Sequence, residues 1–95
     1  MADLGLMLGD LRALVEVESP SRDLVALAAS AAAVSDVIEA RLGSRPTLID
    51  TAAGPIVHWS GCGAPRVVVI GHHDTVHPLG TLAARPFAVR DGIAT

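Results

Sequence analysis

Hydrophobic positions change their period along the chain. From Asp3 to Glu18 the apolar residues Leu4, Met7, Leu8, Leu11, Leu14 and Val15 recur at helical spacing, with Asp3 as a cap. Gly5 and Gly9 each cost such a helix about 1 kcal/mol relative to alanine, so it depends on packing. Ser19-Pro20-Ser21 ends it, because proline restrains the residue before it and cannot continue the ladder. A second helix is predicted over Arg22 to Leu42, with Ser21 as a cap and Asp23 in the first turn. Its inner face is Leu24, Leu27, Ala28, Ala31, Ser35, Ile38 and Leu42, and Gly43 is its stop. Thereafter the pattern is that of strands. Thr47 to Asp50 and Ile56 to Trp59 are short candidates, and Gly61 to Pro65 is a turn. Arg66 to Ile70 follows as a β-branched run apolar on both faces, the pattern of a fully buried strand. Pro78, Gly80 and Pro86 mark a long irregular loop. Phe87 to Val89 and Ile93 to Thr95 then suit a hairpin around Asp91-Gly92.

Two helices followed by strands of a mostly buried sheet make this an α/β chain. A strand apolar on both faces needs cover on both, and two helices with a few short strands supply only part of it. The 95 residues therefore read as one unit, incomplete as a domain. Composition strengthens that reading. Only 2% of residues are aromatic and 18% charged, so large core side chains are scarce and the surface is suited to cover by more protein. The net charge is −3 and the seven basic residues are scattered arginines, which gives no stripe for a nucleic-acid backbone. Asp23, Asp36 and Glu39 interrupt the alanine-rich second helix and argue against a membrane span. Cys62 is the single cysteine, so no intrachain disulfide forms, and no signal-peptide pattern opens the chain. A cytoplasmic location is the expectation.

The candidate chemistry lies where the apolar run ends. After Ile70 and Gly71 come His72, His73 and Asp74. His72 and Asp74 are two residues apart and point the same way if extended geometry continues. Neutral imidazole is a normal zinc ligand, and its second nitrogen needs a carboxylate or carbonyl to fix the tautomer. Asp74 suits that supporting role, or direct coordination. The alternative is a capped strand end whose polar side chains bond the loop. His73 points to another face and reads as a loop or surface histidine. His77 lies farther along the loop, and His58 sits between apolar neighbours as a structural residue. Cys62 has no assignable activating partner. Ser19 and Ser21 are explained by the helix boundary. Gly61 and Gly63 lack the lysine and helix of a phosphate loop.

The run Val68-Val69-Ile70-Gly71-His72-His73-Asp74-Thr75-Val76-His77-Pro78-Leu79-Gly80-Thr81-Leu82, followed by Arg85-Pro86-Phe87 and Asp91-Gly92, resembles a known pattern. It is similar to the first metal-ligand region of the zinc peptidase family that includes glutamate carboxypeptidase, aminoacylase, acetylornithine deacetylase and succinyl-diaminopimelate desuccinylase. Gly80-Thr81-Leu82 and Arg85-Pro86-Phe87 point to the glutamate carboxypeptidase-like branch. The join Val17-Glu18-Ser19-Pro20-Ser21-Arg22-Asp23 resembles that family's opening.

The resemblance implies that residues 1–95 are the N-terminal portion of a zinc-peptidase catalytic domain, with the lid and dimerisation domain outside them. It implies zinc, two ions in the complete site, with cobalt or manganese as alternatives. His72 would ligate one ion and Asp74 would be the catalytic-site residue that bonds and tunes it. A bridging carboxylate, a glutamate pair, another acidic ligand and a distant histidine would come from elsewhere. The implied reaction is amide hydrolysis of a small peptide or N-acyl amino acid by zinc-activated water. No nucleic-acid or membrane partner is implied, and a homodimer only where the missing domain is present. Glu16, Glu18 and Glu39 all fall in predicted helices, so the isolated chain is expected to be inactive. The competing expectation is a non-catalytic α/β remnant or subunit that binds a partner protein through strand edges and apolar faces.

Overall fold

The structure, a computed structural model, describes residues 3–95. It is a mixed chain of helices and small antiparallel strand pairs. Helix α1 runs Leu4–Val15 and helix α2 Leu24–Leu42; β1 is Thr47–Thr51 and β2 Gly54–His58. A one-turn helix α3, Thr81–Ala84, precedes β3, Val89–Arg90, and β4, Ile93–Ala94.

Asp3 caps α1, accepting from the Leu6 N–H at 3.0 Å. The helix stops at Val15, short of the predicted Glu18, because residues 18–21 are drawn out to pair with a distant segment. Helix α2 begins at Leu24, not Arg22. Its cap is Asp23, which accepts from the Ala26 N–H at 3.0 Å, and Ser21 is engaged elsewhere. Gly43 closes α2 in the left-handed region at φ 85°. A bidentate pair from Arg41 to Asp10, at 2.7 and 2.8 Å, ties α2 to α1.

The strands β1 and β2 form an antiparallel hairpin with Ile49 opposite Ile56, packed on α2. The buried set among the described residues is small: Leu27, Ala31, Pro46, Ser19, Ser30 and Ser35. Of the predicted α2 face, Leu27, Ala31 and Ser35 are covered, while Leu24 and Leu42 stay exposed. The predicted C-terminal hairpin forms, with Asp91 and Gly92 both at positive φ, and backbone bonds between Ala88 and Thr95 extend it.

The largest departure is Arg66 to Ile70. No strand forms there, and Val67, Val68, Val69 and Ile70 are 75–91% exposed. The two hairpins are each two-stranded, and this run is paired with neither. The α2 face that could cover it is already occupied by β2. The expected mostly buried sheet is thus replaced by two small, largely exposed hairpins.

Candidate functional site

The site is assembled by the join between α1 and α2. Pro20 forms a parallel bridge with Thr75. The Thr75 N–H donates to the Ser19 carbonyl at 2.7 Å, and the Ser21 N–H donates to the Thr75 carbonyl at 2.9 Å. This register asks nothing of the N–H that proline lacks, so Pro20 fits the bridge as well as ending the helix. Side chains reinforce it. Ser19, 5% exposed, donates its hydroxyl to the His73 carbonyl at 2.7 Å. Farther along, the Glu18 carboxylate accepts from Gly80 N–H at 3.0 and 3.1 Å and from Leu82 N–H at 2.8 Å. The ionised form gains these bonds, Leu82 first and Gly80 next, so its carboxyl is held below the ordinary glutamate range against some desolvation. A four-residue stretch thereby fastens both ends of the loop that carries the histidines.

The structure brings His72 and Asp74 together. Asp74 Oδ1 lies 3.2 Å from His72 Nδ1, and the Asp74 carbonyl oxygen 3.1 Å from the same nitrogen. Both oxygens are acceptors. In the neutral imidazole Nδ1 therefore carries the hydrogen, and the lone pair is left on Nε2. Asp74 Oδ2 accepts from the Ser21 hydroxyl at 2.5 Å, the short end of a charge-assisted bond. That bond, followed by the residue's own backbone N–H and His72, holds the Asp74 carboxyl below the ordinary aspartate range, against partial desolvation. The His72 side chain is 84% exposed.

The neighbouring histidine goes the other way. His73 is half-buried, with Nδ1 2.9 Å from the hydroxyl of buried Ser30 on α2. It is a packed anchor, more enclosed than the predicted surface residue. His77 stays in the loop, His58 lies in β2 opposite Thr47, and Cys62 is exposed. His72, His73, Asp74 and His77 border an open cavity of about 1210 Å³ whose other walls include Leu27, Val57, Leu82 and Phe87.

Among the described residues no three of His, Cys, Asp and Glu come close enough together to hold a metal ion. His72 offers one imidazole nitrogen with a carboxylate on the other, a donor set compatible with one corner of a zinc site but short of the three or four protein ligands usual there. Sequence reasoning missed Glu18, Ser19, Ser21 and Ser30 as parts of this arrangement. The local signal at Ser19 and Ser21 was absorbed by the helix boundary, and their partners lie more than fifty residues away. No helix among the described residues is long and apolar enough to cross a membrane. No family model, curated protein or solved structure matches the chain.

Proposed function

We propose that the chain supplies the first metal-ligating corner of a metal-dependent amide hydrolase of the carboxypeptidase or N-acyl-amino-acid deacylase type. The reading joins the resemblance described above, closest to the glutamate carboxypeptidase-like branch, to one observation. His72 presents an exposed imidazole whose Nδ1 is taken by Asp74, leaving Nε2 as the ligating atom. Zinc, when bound, supplies Lewis-acid polarisation of an amide carbonyl and lowers the pKa of water. The chain's own contribution is to orient that ligand at the edge of an apolar-walled cavity suited to an acyl group or small side chain. The remaining ligands, the general base and the lid domain belong to other parts of a cytoplasmic enzyme. Glu18, the glutamate nearest this loop in bonding, is committed to Gly80 and Leu82 and is not the base.

The test is made on the native protein isolated from its source cells. It should contain zinc and release amine from N-acyl amino acids or dipeptides. Asp74→Ala should lower metal affinity or activity by about 10–100-fold, as the loss of a partner of a ligating histidine does. His72→Ala should lower them further. A native protein without zinc and without amide hydrolysis sinks the reading. A second reading is favoured by the exposure of Val67 to Ile70. The chain would then be a non-catalytic α/β subunit that buries this run against a partner protein, and the same isolation would recover that complex without hydrolytic activity.

A further inference from the structure

Ser21 does more than end a helix. Its hydroxyl reaches Asp74 Oδ2 at 2.5 Å and the Thr75 carbonyl at 3.1 Å. A hydroxyl has one hydrogen, and the shorter approach to an ionised acceptor is the stronger bond. With Oδ2 held, rotation of the Asp74 carboxylate is restrained, and Oδ1 is left facing His72 Nδ1 at 3.2 Å, beside the Asp74 carbonyl oxygen at 3.1 Å. The backbone bonds on either side of Pro20 fix the Ser21 main chain against Thr75, which brings its exposed hydroxyl beside Asp74. A separate serine, Ser30, holds His73 Nδ1 at 2.9 Å. The two adjacent histidines are thus sorted by two serines from different parts of the fold.

We propose that Ser21 is a positioning residue that acts through Asp74, fixing His72 in the Nδ1–H tautomer so that Nε2 is the nitrogen offered to a ligand. As a statement about metal binding this rests on the hydrolase reading. As a statement about the tautomer it does not. The relay is Ser21 hydroxyl to Asp74 Oδ2, and Asp74 Oδ1 to His72 Nδ1–H. No proton changes its owner along it. Ser21 only restrains the carboxylate from turning away from the ring.

The deciding experiment is long-range proton–nitrogen NMR of the histidine rings in the full chain at about pH 8.5, where an ordinary imidazole is neutral. The wild-type chain should show His72 mainly as the Nδ1–H tautomer. Ser21→Ala should shift it towards Nε2–H, while Ser21→Thr, which keeps the hydroxyl, should retain the wild-type pattern. Ser21→Ala in an Asp74→Asn background should add nothing, because the relay is already broken. The His73 ring signals should be the same throughout and report that the fold is intact. A His72 tautomer unchanged by Ser21→Ala overturns the proposal, and so does an equal effect of Ser21→Ala with and without Asp74. Cobalt binding, followed by its visible spectrum, separates the two claims. On the native protein isolated whole from its source cells, which would carry the remaining ligands, an absence of cobalt uptake defeats the hydrolase reading and leaves the tautomer result standing. Where cobalt binds, Ser21→Ala should weaken it by about tenfold, at the lower end for loss of support to a ligating histidine, and Ser21→Thr should restore it.

Discussion

A single carboxylate holds the loop after the histidines. The Glu18 side chain binds three times to the N–H groups of Gly80 and Leu82, and only its ionised form gains fully from them. Because its folded pKa is depressed, its contribution is complete above the ordinary glutamate value of about 4.3 and is lost as pH falls through the lower folded value. The protection factors of the Gly80 and Leu82 amides, that is their exchange corrected for its intrinsic pH dependence, should therefore be high at neutral pH and fall as the Glu18 carboxylate is protonated in acid. Glu18→Ala should lower their protection factors at neutral pH to the level the wild-type chain shows in acid, and hydrogen exchange read by NMR checks it. Amides whose protection is indifferent to Glu18 would contradict the arrangement. At this scale the sequence was legible where partners are near. Asp3 caps α1 three residues away, as the local pattern predicts, whereas the cap of α2 falls on Asp23 and not on the predicted Ser21. Ser21 and Glu18 find partners 53 to 64 residues away, and nothing in their neighbourhood announces it.

The elements were legible to the extent that they are self-sufficient. Helices α1 and α2 carry their own period, α2 carries its own stop at Gly43, and the hairpin at Asp91-Gly92 carries its own turn chemistry. The Val67 to Ile70 run is different, because a strand exists only through its neighbours, and apolarity on two faces does not create them. Between α2 and the first hairpin the fit is close at one point. Gly54 opens β2 at φ 124°, and a Cβ there would stand 3.0 Å from Leu27 Cδ1. In the sequence Gly54 lies only in the segment between the two predicted strands, Thr47 to Asp50 and Ile56 to Trp59. Gly54→Ala should destabilise the chain by about 1–3 kcal/mol, since it adds both backbone strain and a clash with one of its few buried side chains. A urea titration measures it, and an unchanged midpoint would mean that α2 and the hairpin adjust freely.

Taken whole, the molecule is spread thin. Its accessible surface is 7259 Å², where a folded monomer of this mass exposes about 5,100 Å². The radius of gyration is 14.5 Å against about 12.4 Å for a compact chain of this length, and the extents of 44 × 38 × 19 Å describe a slab. Apolar side chains on such a slab associate wherever they find one another. The isolated chain should bind an apolar dye and sediment as more than a monomer at tens of micromolar. Replacing Val67 and Val69 with glutamate should shift it towards the monomer. A dye-free, monomeric wild-type chain would mean that these faces are covered in a way the fold does not suggest.

The pairing of Pro20 with Thr75 has a consequence in time. Helices form within about a microsecond and hairpins within about ten, because their contacts are local. The bridge must instead close a ring of more than fifty residues before its bonds return anything for the lost chain entropy. Helix α2 and the first hairpin fold inside that ring and shorten its effective path. The imidazole of His72 therefore acquires its orientation as a late event, after the elements that surround it. During unfolding the same ring opens early, so the chain loses its offered nitrogen while its helices are still standing.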